Sequence, residues 1–134
     1  MTQEEIKSIF TKLAEPMPVK WRVGPKIGSR LSVLAYLDAR MVQQRLDDIV
    51  GPENWANVYD SETGTATISI FINGEWVSKT DVGTESKVDK EKGKASDSFK
   101  RAAVLWGVGR FIYTDPKYSG KMLPLAQSGK YPTT

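Results

Sequence analysis

Lys100 and Arg101, two adjacent cations late in the chain, are the residues whose type and spacing point most directly to chemistry. That chemistry is the holding of an anion, not the making or breaking of bonds. They lie in the run G-K-A-S-D-S-F-K-R-A-A-V-L-W-G-V-G-R-F-I-Y, residues 93 to 113. Read as a helix from about Ala95 to Trp106, this run puts Ala95, Phe99, Ala102, Ala103 and Trp106 at the i, i+4, i+7, i+8, i+11 recurrence of a buried stripe. Lys100 and Arg101 then project from the opposite arc. Ser96 is expected to cap the start, and Gly107 and Gly109 to end the helix. On the residues alone a plainer reading stands beside this one, in which Arg101 pairs with Asp97 one turn earlier and Lys100 is solvated.

The inventory removes whole classes of function. The chain has 134 residues, no cysteine and no histidine. Disulfide frameworks, thiolate metal sites and a Ser-His-Asp triad are therefore excluded. The phosphate-loop pattern G-x-x-x-x-G-K-[ST] is absent, so no ATP-driven step is expected. No cofactor or catalytic residue is expected either. Apolar residues make up 40% and charged residues 26%, an ordinary globular composition, with no apolar run near the roughly 20 residues of a membrane span. The N-terminus M-T-Q-E-E-I-K lacks a secretory pattern, so a cytoplasmic protein is expected. A net charge of +3 suits a polyanionic partner without requiring one. Lys20, Arg22, Lys26 and Arg30 form one basic group; Lys87 to Arg101 form another, diluted by Glu85, Asp89, Glu91 and Asp97.

The elements that must position these charges can be read in order. Residues 2 to 14 form an amphipathic helix with a Thr2/Glu5 capping box and a stripe of Ile6, Ile9, Phe10 and Leu13, to dock on the domain or on a neighbouring subunit. Val19 to Val23 alternates as a short strand whose basic side faces a ligand, 26 to 30 is a loop, and L-S-V-L-A-Y is a second short strand. A helix from Asp38 to Val50 ends at Gly51-Pro52. Strands follow at 55–59, 65–72 and 75–82, the last two joined by Asn73-Gly74, a strong hairpin signal. The charged stretch 83–94 reads as a mobile connector, and 114–134 as a loop-like tail. The expected class is α+β: an antiparallel three-stranded meander followed by a packed helix, β-β-β-α, at about 55–107, within a domain spanning 1–113.

The run from Ala95 to Tyr113 resembles the signature helix of the single-strand annealing proteins of the Rad fifty-two family, above all its bacterial and phage, DdrA-like branch. The stretch A-Y-L-D-A-R-M-V-Q-Q-R-L-D-D-I-V-G-P-E-N-W, 35 to 55, and T-D-V-G, 80 to 83, agree with it in the family's order. The resemblance implies ATP-independent binding of single-stranded DNA and annealing of complementary strands, in recombination and double-strand break repair, in a bacterium or a phage-infected host cell. It implies a homo-oligomer, ring or filament, with a single-strand-binding protein as a further candidate partner. It also implies a groove in which Lys100 and Arg101 hold DNA, with Tyr36 near its path and a backbone contact from Lys26 or Arg30, between which the alignment does not choose. Where eukaryotic relatives carry a further arginine, this chain has Val104; Arg110 or Arg40 is the expected compensation.

Two other classes compete. Glu85-Ser86-Lys87 has the E-x-K form of a metal-dependent nuclease half-site, with Asp60 or Asp81 as partners for Mg²⁺. The three-residue pattern is common by chance in charged loops. A protein-interaction module would use Met122 to Leu125, the apolar patch of the tail.

Overall fold

A computed structural model describes residues 1–28, 30–84, 90–118 and 122–124. Helix α1 (Gln3–Ala14) leads into strands β1 (Lys20–Ile27) and β2 (Arg30–Tyr36), then helix α2 (Ala39–Val50) and a 3-10 turn (Pro52–Asn54). Strands β3 (Trp55–Asp60), β4 (Thr65–Ile72) and β5 (Glu75–Val82) precede helix α3 (Lys90–Leu105). A short helix α4 (Phe111–Thr114), a 3-10 turn (Pro116–Tyr118) and an edge strand β6 (Met122–Pro124) follow. The class is α+β, with two antiparallel sheets ordered β3-β4-β5 and β1-β2-β6.

The first sheet is built from local signals. Asn73 and Gly74 both take positive φ, 53° and 83°, as a tight hairpin between β4 and β5 demands. That turn sets the register Ile72↔Glu75 and Phe71↔Trp76. Period-two alternation then sends Ala66, Ile68, Ile70 and Ile72 into the core, where α3 covers them with Phe99, Ala102, Ala103 and Trp106. The small alanines let the helix lie close, and Trp106 closes the contact by donating its indole N–H to the Ile68 carbonyl at 3.0 Å. Truncating a Trp buried this completely costs about 3–5 kcal/mol.

Helix α3 begins at Lys90, about five residues before the sequence suggests. The charged residues read as connector are good helix formers whose side chains need no burial, and the single Gly93 costs only about 1 kcal/mol. Ser96 is therefore interior to the helix and not its cap. The C-terminus follows expectation: Gly107 (φ 100°) lets Val108 N–H reach the Ala103 carbonyl and Gly107 N–H reach Val104, a Schellman closure.

Helix α1 carries the expected capping box, with Thr2 Oγ1 accepting from Glu5 N–H at 3.1 Å and Glu5 Oε1 accepting from Thr2 N–H at 3.4 Å. Of the two expected docking sites it takes its own domain. Leu13 is buried, Phe10 stacks on Trp106 with centroids 5.7 Å apart, and Arg45 from α2 donates to the carbonyls of Lys12, Leu13 and Glu15 at 2.8–3.2 Å. Deleting this helix would therefore open the core.

Strand β1 runs through Ile27, four residues past the expected stop at Val23, because a bulge between Val23 and Lys26 absorbs one residue and lets pairing resume. Most of the expected loop 26–30 is thereby strand. From the segment read as a tail, Pro116–Tyr118 forms a turn and Met122–Pro124 adds to β2. Residues 125–134 lie outside the described residues, as do Glu85, Ser86 and Lys87 of the nuclease reading. Asp60 accepts from the Glu62 N–H at 2.9 Å and shapes the β3–β4 turn. Among the described residues no helix is long and apolar enough to cross a membrane.

Candidate nucleic-acid interface

A groove of about 630 Å³ opens between the outer arc of α3, the β1–β2 sheet and the segment after α3. Its base is apolar, with Leu37, Val42 and Val108. Among the described residues its rims carry three cations, Arg22, Lys100 and Arg101, and three phenols, Tyr36, Tyr113 and Tyr118. Each rim is fixed by the local structure behind it. The stripe on α3 that packs on β4 turns Lys100 and Arg101 outward. The register Lys20↔Tyr36 and Arg22↔Leu34 puts Lys20, Arg22, Leu34 and Tyr36 on one face of the second sheet. Directly after Tyr36, Leu37 is buried and Asp38 caps α2, accepting from Met41 N–H at 2.9 Å and from Lys20 Nζ at 2.6 Å. Lys20 holds the Asp38 carboxyl below the usual carboxylate range, with the Met41 amide adding to the effect. The end of β2 is thus tied to β1 and α2 beside the tyrosine.

Tyr36 is shared by two cations. Lys100 Nζ stands 6.0 Å and Arg22 Cζ 5.9 Å from its ring centroid. Arg101 Cζ lies 5.4 Å from the centroid of Tyr113. Cations over rings are oriented without being neutralised, since a ring carries no net charge. Burial pushes the Lys100 ammonium below its ordinary pKa; Asp97 partly opposes this, while Arg101 and Arg22 add to it. A cation that is desolvated and set near like charges gains most from an arriving phosphate.

The expected pair between Arg101 and Asp97 is present but loose, with Nε 3.6 Å from Oδ1. That distance is too long for a hydrogen bond, and the buried Nε has no hydrogen-bond partner among the described residues. Arg101 is therefore aimed and held while one donor stays unspent.

Of the residues singled out in the sequence, the structure brings Lys100, Arg101 and Tyr36 together. Arg30 is exposed on the same sheet face as Leu34 and Tyr36 but six residues along β2, roughly 20 Å from Tyr36. Lys26 sits opposite Leu31 in the register, whereas Arg30 sits opposite Ile27. Arg40, exposed in the first turn of α2, does not line the groove. Arg110 donates to the Val104 and Leu105 carbonyls at 2.8 and 3.1 Å and so caps α3. Val104 lines the groove as an apolar residue, and the third cation is Arg22 from the opposite wall. Sequence reasoning placed Arg22 on a basic strand side without choosing it, and it missed Tyr113 and Tyr118. The period-two spacing of Lys20 and Arg22 was the available signal; the strand register that aims them was not.

No protein-family model matches the chain. It is similar to the protein named single-stranded DNA-binding protein DdrA of Deinococcus deserti, 35% identical over 122 residues that cover 84% of this chain and 60% of that one. It is likewise similar to the protein of the same name from Deinococcus radiodurans, 31% identical over 84% of this chain and 58% of the other. The groove thus belongs to a chain that spans about 60% of the length of the curated relatives it matches, both named for binding single-stranded DNA.

Proposed function

We propose that the groove binds single-stranded DNA and that the protein anneals complementary strands without nucleotide hydrolysis, in recombination and double-strand break repair. The observation that carries this reading is the convergence of Arg22, Lys100 and Arg101 on one groove interleaved with Tyr36 and Tyr113. Cations of that number suit consecutive phosphates, and rings beside them give bases a sequence-tolerant surface. The names of the Deinococcus relatives support the ligand, and the resemblance to the Rad fifty-two family supports annealing. Nothing in this chemistry needs a bond to be broken; the groove holds one strand in an extended state until its complement arrives.

Self-association into a ring or filament belongs to the same proposal. The face of the β3-β4-β5 sheet away from α3 leaves Val58 66% and Trp76 53% exposed, with Phe71 and Val82 beside them. The same face also carries the hydroxyl pairs Thr67–Thr80 and Ser69–Ser78, both 2.7 Å apart, with Thr65 on β4 and Ala56 and Asp60 on β3. A second copy of this chain is the occupant that would bury it.

Annealing of two labelled complementary oligonucleotides, followed by fluorescence transfer with EDTA and no nucleotide, tests the function. Wild type is expected to accelerate pairing. A folded protein that binds single strands yet leaves pairing at its spontaneous rate would reduce the function to binding alone.

A further inference from the structure

Among the described residues that line the groove, Asp97 is the one acid. Its two oxygens do different things. Oδ2 accepts from the Thr84 backbone N–H at 2.8 Å and lies 3.4 Å from the Thr84 hydroxyl. Oδ1 faces Arg101 Nε at 3.6 Å, and that nitrogen remains without a hydrogen bond. An arginine fork beside a carboxylate ordinarily closes on it with two short bonds. Here the carboxylate is held back by the strand end. Gly83 and Thr84 lie so close to α3 that a Cβ at Gly83 would stand 2.6 Å from the Asp97 carbonyl carbon and the Ser98 nitrogen. The charge of Asp97 is thus locked where it offsets Lys100 and Arg101 but leaves the Arg101 donor unsatisfied.

The negative charge is not what the strand end needs. Ser98 Oγ independently accepts from Gly83 N–H at 2.9 Å and donates to the Gly64 carbonyl at 2.7 Å. An amide oxygen at position 97 would still accept from Thr84.

We infer that Asp97 sets affinity through its charge: standing 3.6 Å from Arg101 Nε without bonding it, the carboxylate holds binding of a nucleic-acid backbone weaker than the cations of the groove alone would make it. The inference rests on the reading of the groove as a single-strand site. Its consequence is faster release, which a strand that must be handed to its complement requires. One unit charge several ångströms from a bound phosphate, in the intermediate dielectric of a groove, weighs about three- to tenfold in affinity.

The test compares wild type, Asp97→Asn and Lys100→Ala for binding and dissociation of a fluorescent oligothymidylate. Asp97→Asn is expected to bind about three- to tenfold tighter at about 0.15 M salt, mostly through slower dissociation, with the gain shrinking at high salt. A purely structural role would not produce a salt-sensitive gain. Unchanged or weaker binding by folded Asp97→Asn overturns the inference. If that variant melts early, Asp97→Ser, which keeps an acceptor without charge, is read by the same criteria. The Lys100→Ala arm separates the two levels. Wild-type binding by that variant would sink the groove assignment itself, whereas lost binding there with no gain in Asp97→Asn sinks only the role given to Asp97.

Discussion

Cations of identical type have opposite fates at the two kinds of place this fold puts them. At the helix ends they are consumed: Arg45 spends its guanidinium on three carbonyls closing α1, while Arg110 and Lys79 take the Leu105 carbonyl at the end of α3. Lys79 also lies over Trp106 and Phe10. In the groove, Arg22, Lys100 and Arg101 face tyrosine rings, and the carboxylate beside Arg101 is held off. A basic residue capping carbonyls stabilises the fold and has little left for a ligand. A basic residue over a ring and bonded to no carbonyl is aimed and keeps its donors for a ligand. Basic composition alone says nothing about which is which.

The sharpest way to break that contrast is to remove the α3 pair. Lys100→Ala with Arg101→Ala should weaken single-strand binding about a hundredfold, two charge-assisted phosphate contacts at about 1.5 kcal/mol each, while the thermal midpoint stays close to wild type. A large loss of stability instead would show that these side chains serve the fold.

Arg22→Ala extends the comparison to the opposite wall. About a tenfold loss of affinity is expected from one such contact, together with a change in the response of the Trp21–Tyr118 stack, whose centroids are 6.3 Å apart. Binding unchanged by this substitution would confine the site to α3.

Arg45→Ala probes the other class. Losing a charged donor from the end of α1 should cost about 2 kcal/mol of stability in denaturant unfolding, with single-strand affinity within about twofold of wild type. The opposite pattern would erase the distinction.

The smallest effect is on pH. Burial lowers the Lys100 pKa from its ordinary 10.5 in the folded chain, so between the lowered value and 10.5 the unfolded chain binds more protons. Lys100 therefore adds to stability as pH rises through that window. Phosphate binding needs the protonated form, so affinity should fall over the same window in wild type. Lys100→Arg stays charged and should hold its affinity there; equal decline in both would place the titrating group elsewhere.

The β-β-β-α unit was legible because its causes are local: the alternation of Ile68, Ile70 and Ile72, the Asn73-Gly74 turn, the Phe99 to Trp106 stripe. The charged first five residues of α3 were not, since Lys90 to Lys94 carries no apolar period to announce a helix. Nor was β6, a three-residue strand ending in proline whose extended form comes from pairing with β2. The site divides the same way. Lys100 and Arg101 follow from helical phase within one segment, whereas Arg22 reaches the groove only through a bulged register with a strand more than ten residues away. Arg110 was misleading for a related reason: its partners are backbone carbonyls at positions that sequence leaves unmarked.

The salt dependence of single-strand binding tests the central claim most directly. With a short oligonucleotide, log affinity against log salt should fall with a slope near −2 for wild type, about 0.7 for each of three phosphates neutralised. The slope should flatten by about 1.4 in the Lys100/Arg101 double alanine variant and stay at the wild-type value in Arg110→Ala. A flat wild-type slope, or one that flattens as much with Arg110 as with the α3 pair, would contradict the account.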